Sequence, residues 1–223
     1  MRKISIRTTL FALIGILSLV ATFLAAEMAL DAARVRSAAL QAVEDELISD
    51  FIIDAQANWA RERGSTAVAL NAVGPVDAKA IEAIAKMRKE GDAAYAEARG
   101  HMKSGSHFPE KDKTVAAAEA AHAKLVEFRK HIDAAMTKKR EDRAGAVVGQ
   151  WVPTITAAIE SLKTVRMSAD FSSESTDALL AAYAQIKHNL WVVSEYAGRQ
   201  AHQDAGKEVS LLSLVVTQPL LSN

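Results

Sequence analysis

The sequence predicts an all-α protein in which an N-terminal transmembrane helix continues into an elongated antiparallel helical bundle. Three observations support this fold class. Of the 223 residues, 50% are hydrophobic but only 5% are aromatic, and there are four prolines, which is typical of long helices packed through small side chains. Apolar residues recur at spacings of three and four between breaks rich in glycine, proline and serine. No stretch of useful length alternates between apolar and polar residues as a strand would.

The first element is an uncharged stretch at residues 8–26, which follows three basic residues and precedes Glu27. As a helix it would be about 28 Å long, close to the hydrocarbon thickness of a bilayer. A cleaved signal peptide and a buried soluble helix are the alternatives, but the apolar run is longer than a usual signal-peptide core. We therefore expect a single-pass anchor in the bacterial inner membrane. Residues 1–7 would form a cytoplasmic basic stub, and the chain after Glu27 would be periplasmic.

Residues 27–207 are predicted to form the extracytoplasmic bundle, and residues 208–223 an irregular or truncated tail. The buried stripe of the first exported helix is predicted to run from Leu40 and Val43 to Leu70. The tail contains an apolar run that is too short to cross a membrane. The predicted helices extend from Glu27 to about Val73, from about Asp77 to Met102, from about Lys113 to Arg143, from a first turn at Pro153, and from Ser173 or Ser175.

The middle of the first exported helix carries the charged run Arg61-Glu62-Arg63-Gly64. Helical geometry predicts that Arg63 points into the bundle, that Arg61 faces solvent and that Glu62 lies on the flank. A buried arginine must be paired or held ready for an anion, because an unpaired buried charge is costly. Pairing with a carboxylate of a neighbouring helix and binding of an anion both remain open. Gly64 would let another helix or a ligand come near.

A second cluster of similar composition lies in the stretch WVVSEYAGRQAHQ at residues 191–203. Glu195 and Arg199 have i,i+4 spacing with the acid first, the favourable order for a pair on a helix. Gly198 precedes Arg199, whereas Gly64 follows Arg63. The two clusters suggest a related pair of half-sites.

The two clusters resemble motifs of NIT domains, the nitrate- and nitrite-sensing input modules of bacterial chemoreceptors and other signalling proteins. WARERGSTAVAL is similar to the Q-x-E-R-G-x-S segment that opens these domains, and SEYAGRQA is similar to their E-x-A-G-R-E-R-A segment. The resemblance covers these two motifs and the general layout of an anchor followed by helices. Gln200 stands where the second motif has an acidic residue, and His202 lies near the usual second arginine.

The resemblance implies a ligand-binding sensory portion of a transmembrane chemoreceptor that acts as a homodimer and signals by a small shift of its first helix. Arg63 and Arg199 would bind a small planar anion such as nitrate or nitrite, because a guanidinium offers a flat fork of donors. Glu62 and Glu195 would position the arginines before the anion binds. The alternative is a membrane-anchored structural or interaction bundle without a small-molecule ligand.

Other functions have less support. The formal net charge is +0 and the pI is about 7.0, whereas nucleic-acid binders normally carry a basic face. Glu119 and His122 match the Glu-x-x-His element of di-iron bundles, but the sequence has no second copy. We expect no metal, no cofactor and no enzymatic activity, since phosphate-loop and nucleophile motifs are missing from the sequence. The run KKREDR at residues 138–143 is predicted to be a solvated helix end.

Overall fold

The computed structural model describes residues 6–103, 108–170, 182, 185–194 and 196–197. These residues are almost entirely helical and include no strand, which confirms the all-α fold class. The predicted start of a fifth helix at Ser173 or Ser175 and the tail at 208–223 lie outside the described residues. The elements are α1 (Ile6–Leu70), α2 (Ala78–Lys103), α3 (Lys111–Met136), a short 3-10 helix (Arg140–Asp142) and α4 (Gly145–Asp170).

The chain divides into two compact units, residues 1–43 and 44–223. In the first unit, α1 exposes large apolar side chains on all sides, and near the N-terminus it is long and apolar enough to cross a membrane. A helix that is apolar all round suits a hydrocarbon environment. Leu40 and Val43 are 60% and 58% exposed. Their predicted place on the buried stripe is therefore wrong, because no other described helix of their unit covers them.

The second unit is an antiparallel bundle built on residues 44–70 of α1. Gln56 Nε2 donates to the carbonyl of Ile159 at 2.9 Å, and Arg63 Nη1 donates to Thr156 Oγ1 at 3.2 Å. Residue numbers rise on α1 as they fall on α4, so these two helices run in opposite directions. Ion pairs relate α1 to α2, and α2 to α3, in the same inverse order.

The core of this unit is formed by apolar residues that recur at spacings of three and four along each helix, as the sequence pattern predicts. In α4, the four stripe residues are at most 1% exposed, as are Ile48, Ile52 and Trp59 of α1. The agreement follows from helical geometry, because residues three and four apart share one face of a helix. The buried α4 residues are Ile155, Ile159, Leu162 and Val165.

Two predicted helix ends are wrong. The third predicted helix was expected to end near Arg143, but α3 ends at Met136. The fourth was expected to have Pro153 in its first turn, but α4 begins at Gly145 and contains Pro153. The amides of Val147 and Val148 bond the carbonyl of Ala144, so the helix has already begun before Pro153. A proline inside a helix removes one backbone hydrogen bond, because it has no N–H.

Arg143 explains why the chain turns before α4. Its side chain is 6% exposed, so the prediction of a solvated run at 138–143 is wrong for this residue. A guanidinium has five N–H donors, and here they bond carbonyls at or just after the ends of α1 and α3, where carbonyls lack intrahelical partners. The acceptors are the carbonyls of Ala135, Leu70, Ala72, Gly74 and Lys138, at 2.6–3.2 Å.

Candidate anion site and its buried ion network

Of the two arginines predicted to bind the anion, Arg63 lies within the described residues. It lies on the face of α1 that packs on α4, and it is 7% exposed, which confirms that it points into the bundle. Besides the bond to Thr156, its backbone carbonyl accepts a hydrogen bond from Trp151 Nε1 at 3.1 Å. Arg61, two positions earlier, is exposed as predicted. The α1–α4 face therefore carries a buried guanidinium next to a hydroxyl group.

Glu62 is wholly buried, and its predicted position on the flank is wrong because α2 and α3 cover that side of α1. Oε1 accepts hydrogen bonds from Arg88 Nε at 3.0 Å and from Arg129 Nε at 2.9 Å. Oε2 accepts one from Arg129 Nη2 at 2.5 Å. Glu62 therefore binds arginines of α2 and α3, and its neighbour Arg63 faces α4.

The two arginines extend this cluster to further carboxylates. Arg129 Nη1 lies 3.0 and 2.8 Å from the two oxygens of Asp92. Arg88 forms a bidentate pair with Asp133, with both distances 3.0 Å. We call these five residues the Glu62 network. Its three carboxylates and two guanidiniums fix α1, α2 and α3 relative to one another through charge-assisted bonds, the strongest class of protein hydrogen bond.

An aromatic cluster adjoins the network at Asp92. Trp59 Nε1 donates to Asp92 Oδ1 at 3.0 Å, and the ring of His122 stacks on Trp59 with a centroid distance of 5.3 Å. Tyr95 packs against both rings. Gly91 permits this packing, since a Cβ there would lie 2.5 Å from Trp59 Cδ1.

The pKa values of three groups in the network and the adjoining aromatic cluster are shifted. Burial alone would raise the pKa of Asp92, but the hydrogen bond from His122 and the charge of Arg129 outweigh it and lower the pKa. Burial alone would lower the pKa of Arg88, and its bond to Asp133 and the charge of Glu62 raise it instead. Burial raises the pKa of Tyr95 to about 12. Both shifts favour the charged forms of Asp92 and Arg88.

The second half-site remains a prediction, because Glu195 and Arg199 lie outside the described residues. At Gly64, a Cβ would meet nothing within 4 Å, so no described helix uses this glycine for close approach. Glu119, considered above as a metal ligand, pairs with Arg99 at 2.8 Å.

Sequence reasoning overlooked Arg129 and Asp92. The signal for Arg129 was available, since it occupies the α3 stripe between Leu125 and Ile132 and is 3% exposed. It has the same placement on α3 as Arg63 has on α1. Asp92 carried no comparable signal, because its role depends on which helix packs beside α2.

No protein-family model, curated protein or solved structure matches the chain. Functional inference therefore depends on the motifs and on the geometry of the second unit.

Proposed function

We propose that the chain is the sensory input portion of a bacterial transmembrane receptor of the chemoreceptor type, which binds a small anion such as nitrate or nitrite without catalysis. The observation that carries the proposal is the buried guanidinium of Arg63 at the α1–α4 face. The two NIT-like motifs and the apolar N-terminal part of α1 support it further.

The chemistry of this face suits a small oxyanion. A guanidinium presents paired donors in one plane, which match two oxygens of a planar anion. Thr156 Oγ1, 3.2 Å from Arg63 Nη1, carries a hydroxyl that can donate a further hydrogen bond. Burial strengthens each of these interactions, because the local dielectric constant is lower than that of water. Arg199 would supply a second guanidinium in this proposal, with Glu195 orienting it.

The Glu62 network gives the proposal a route to an output. Glu62 fixes α1 to α2 and α3, and the adjacent Arg63 bonds α4. An anion that draws Arg63 toward itself would change the balance between these two sets of contacts. The proposed response is a small shift of α1 within a homodimer, of the kind seen in helix-shift switches.

The Glu62 network also favours a second candidate function, because its carboxylates and guanidiniums already pair with one another. A bundle whose charges only fix helix register would also bury Glu62 between two arginines, and it would bind no small molecule. This candidate is a membrane-anchored structural or interaction bundle.

Calorimetric titration of nitrate and of nitrite into the full-length chain in detergent micelles tests the proposal. We expect binding by the wild type and by Arg61→Ala, whose side chain is exposed, and loss of binding in Arg63→Ala. At 100 times its dissociation constant, the anion should also stabilise the wild type by about 2.7 kcal/mol. Equal affinity in Arg63→Ala would reject the assignment of Arg63, and no binding by the wild type would favour the structural bundle.

A further inference from the structure

Residues 185–194 form a helical segment that attaches to two other helices of the second unit. Lys187 Nζ lies 2.7 Å from Glu46 Oε1 and 2.6 Å from Asp50 Oδ1, which attaches the segment to α1. Burial alone would lower the pKa of Lys187, but its bonds to Asp50 and Glu46 raise it. Lys187 therefore keeps its positive charge throughout the neutral pH range.

The attachment to α4 depends on His188. Arg166, which is wholly buried, donates from Nη2 to His188 Nδ1 at 3.1 Å. Among the described residues, Nε and Nη1 of Arg166 have no hydrogen-bond partner, and Nη1 is 3.5 Å from Asp170 Oδ2. The imidazole of His188 is thus the hydrogen-bond acceptor for this buried guanidinium.

Trp191 completes the α4 attachment. The Arg166 guanidinium lies 5.5 Å from the centroid of its ring, and Lys163 Nζ lies 5.6 Å from it. A cation over the face of tryptophan is attracted by the ring quadrupole. His188 and Trp191 are one helical turn apart, so the histidine and the ring meet α4 together.

This geometry allows only one charge state of His188. An arginine is always protonated in proteins and can only donate, so Nδ1 must keep its lone pair and the imidazole must be neutral. A proton on Nδ1 would place a second cation 3.1 Å from Arg166 and add to the positive charge of Lys163. The hydrogen bond would be lost and replaced by repulsion.

We propose that attachment of residues 185–194 to α4 is acid-sensitive, with His188 as the titrating group. The segment is docked while the imidazole is neutral and loosens at α4 when it is protonated, while Lys187 keeps its bonds to α1. This regulation goes beyond anion binding and does not depend on it. In sequence, the segment directly precedes the predicted second half-site at Glu195 and Arg199.

The direction of the pH dependence follows from the neighbouring charges. Burial, then the charges of Arg166 and Lys163, lower the pKa of His188 below its ordinary value of 6.5. The docked state therefore resists protonation more than the released state does. Docking is fully favoured above pH 6.5 and weakens as the pH falls through the lowered pKa. Asp170 also faces Arg166, and burial raises the pKa of its carboxyl above the ordinary value of 3.8.

Fluorine NMR of the full-length chain labelled with 5-fluorotryptophan measures this docking, since the chain has three tryptophans and Trp191→Phe assigns the relevant signal. In the wild type, we expect the Trp191 signal to titrate between about pH 5 and pH 8, with a midpoint below 6.5. His188→Asn keeps an acceptor in the position of Nδ1 but cannot be protonated there. Its Trp191 signal should stay constant over the same range.

Lys163→Met is a second variant, at a partly exposed position, that leaves His188 in place. Removing this cation should move the wild-type midpoint upward. The signal of the buried Trp151 should not titrate in any variant. A constant Trp191 signal in the wild type, or the same titration in His188→Asn, would overturn the proposal. If His188→Asn fails to fold, an unchanged midpoint in Lys163→Met would overturn it.

Discussion

Buried arginines dominate the chemistry of the second unit at the scale of single residues. Arg63, Arg129, Arg143 and Arg166 are each at most 7% exposed, and burying a charge is costly unless hydrogen bonds compensate it. Arg129 is compensated by carboxylates and Arg143 by backbone carbonyls. Arg63 bonds a hydroxyl and Arg166 an imidazole. Arg63 and Arg166 are the residues to which we assign anion binding and contact with the pH-sensing group.

Glu62→Gln tests the network at its most buried carboxylate. The change keeps the shape of the side chain but leaves Arg129 and Arg88 facing a neutral amide. Removing one partner of a buried ion pair typically costs about 3–5 kcal/mol, and we expect a loss of that order in the free energy of unfolding. Urea denaturation followed by tryptophan fluorescence measures it. Glu127→Gln is the control, because its pair with Lys130 is exposed and should contribute little to stability.

Gly91 and Gly64 form a matched pair of helical glycines. Gly91→Ala would place a Cβ against the buried ring of Trp59, and overpacking of this kind costs about 1–3 kcal/mol. Gly64→Ala meets open space and should stabilise the helix by up to about 1 kcal/mol. Thermal denaturation of both variants should therefore shift in opposite directions. Equal destabilisation by the two changes would contradict this assignment of Gly91.

At the scale of elements, the side chain of Arg143 holds the ends of α1 and α3 together. Arg143→Lys retains the positive charge but replaces five donors in a planar fork with three on a flexible stem. The carbonyl of the buried residue Leu70 would lose the partner described above, and a buried group left unsatisfied costs about 1–3 kcal/mol. We expect the urea midpoint to fall for Arg143→Lys. Arg140→Lys, at an exposed position, should leave the midpoint unchanged.

The accuracy of sequence-based prediction differed between elements for physical reasons. The interior of α4 was predictable because Ile155 and Ile159 repeat with the period of the helix. Its start was not, because proline favours a first turn but is tolerated within a helix, as Pro153 is. The inward orientation of Arg63 could be predicted from the apolar stripe of its own helix. The roles of Gly91 and Arg143 depend on which distant segments meet them, and periodicity along one helix carries no such information.

At the scale of the whole molecule, stability in acid depends on the sum of carboxyl groups whose pKa values are shifted in opposite directions. The chain has 27 basic and 27 acidic residues, so near neutral pH net charge alone exerts little self-repulsion. Shifted carboxyl groups then decide how the free energy of unfolding changes with pH. Asp92 and Asp170 are shifted in opposite directions, and their contributions are separable.

We expect Asp92→Asn and Asp170→Asn to change the acid profile in opposite senses. The bonds from His122 and Arg129 keep the pKa of Asp92 below 3.8. This carboxylate therefore stabilises the fold above that pH and loses its contribution as the pH falls through the lowered pKa. Burial raises the pKa of Asp170 above 3.8, so the fold gains from its protonation as the pH falls toward that value. In urea denaturation from pH 7 to pH 3, Asp92→Asn should flatten the acid loss of stability and Asp170→Asn should steepen it. Parallel profiles for the two variants would contradict the opposite shifts.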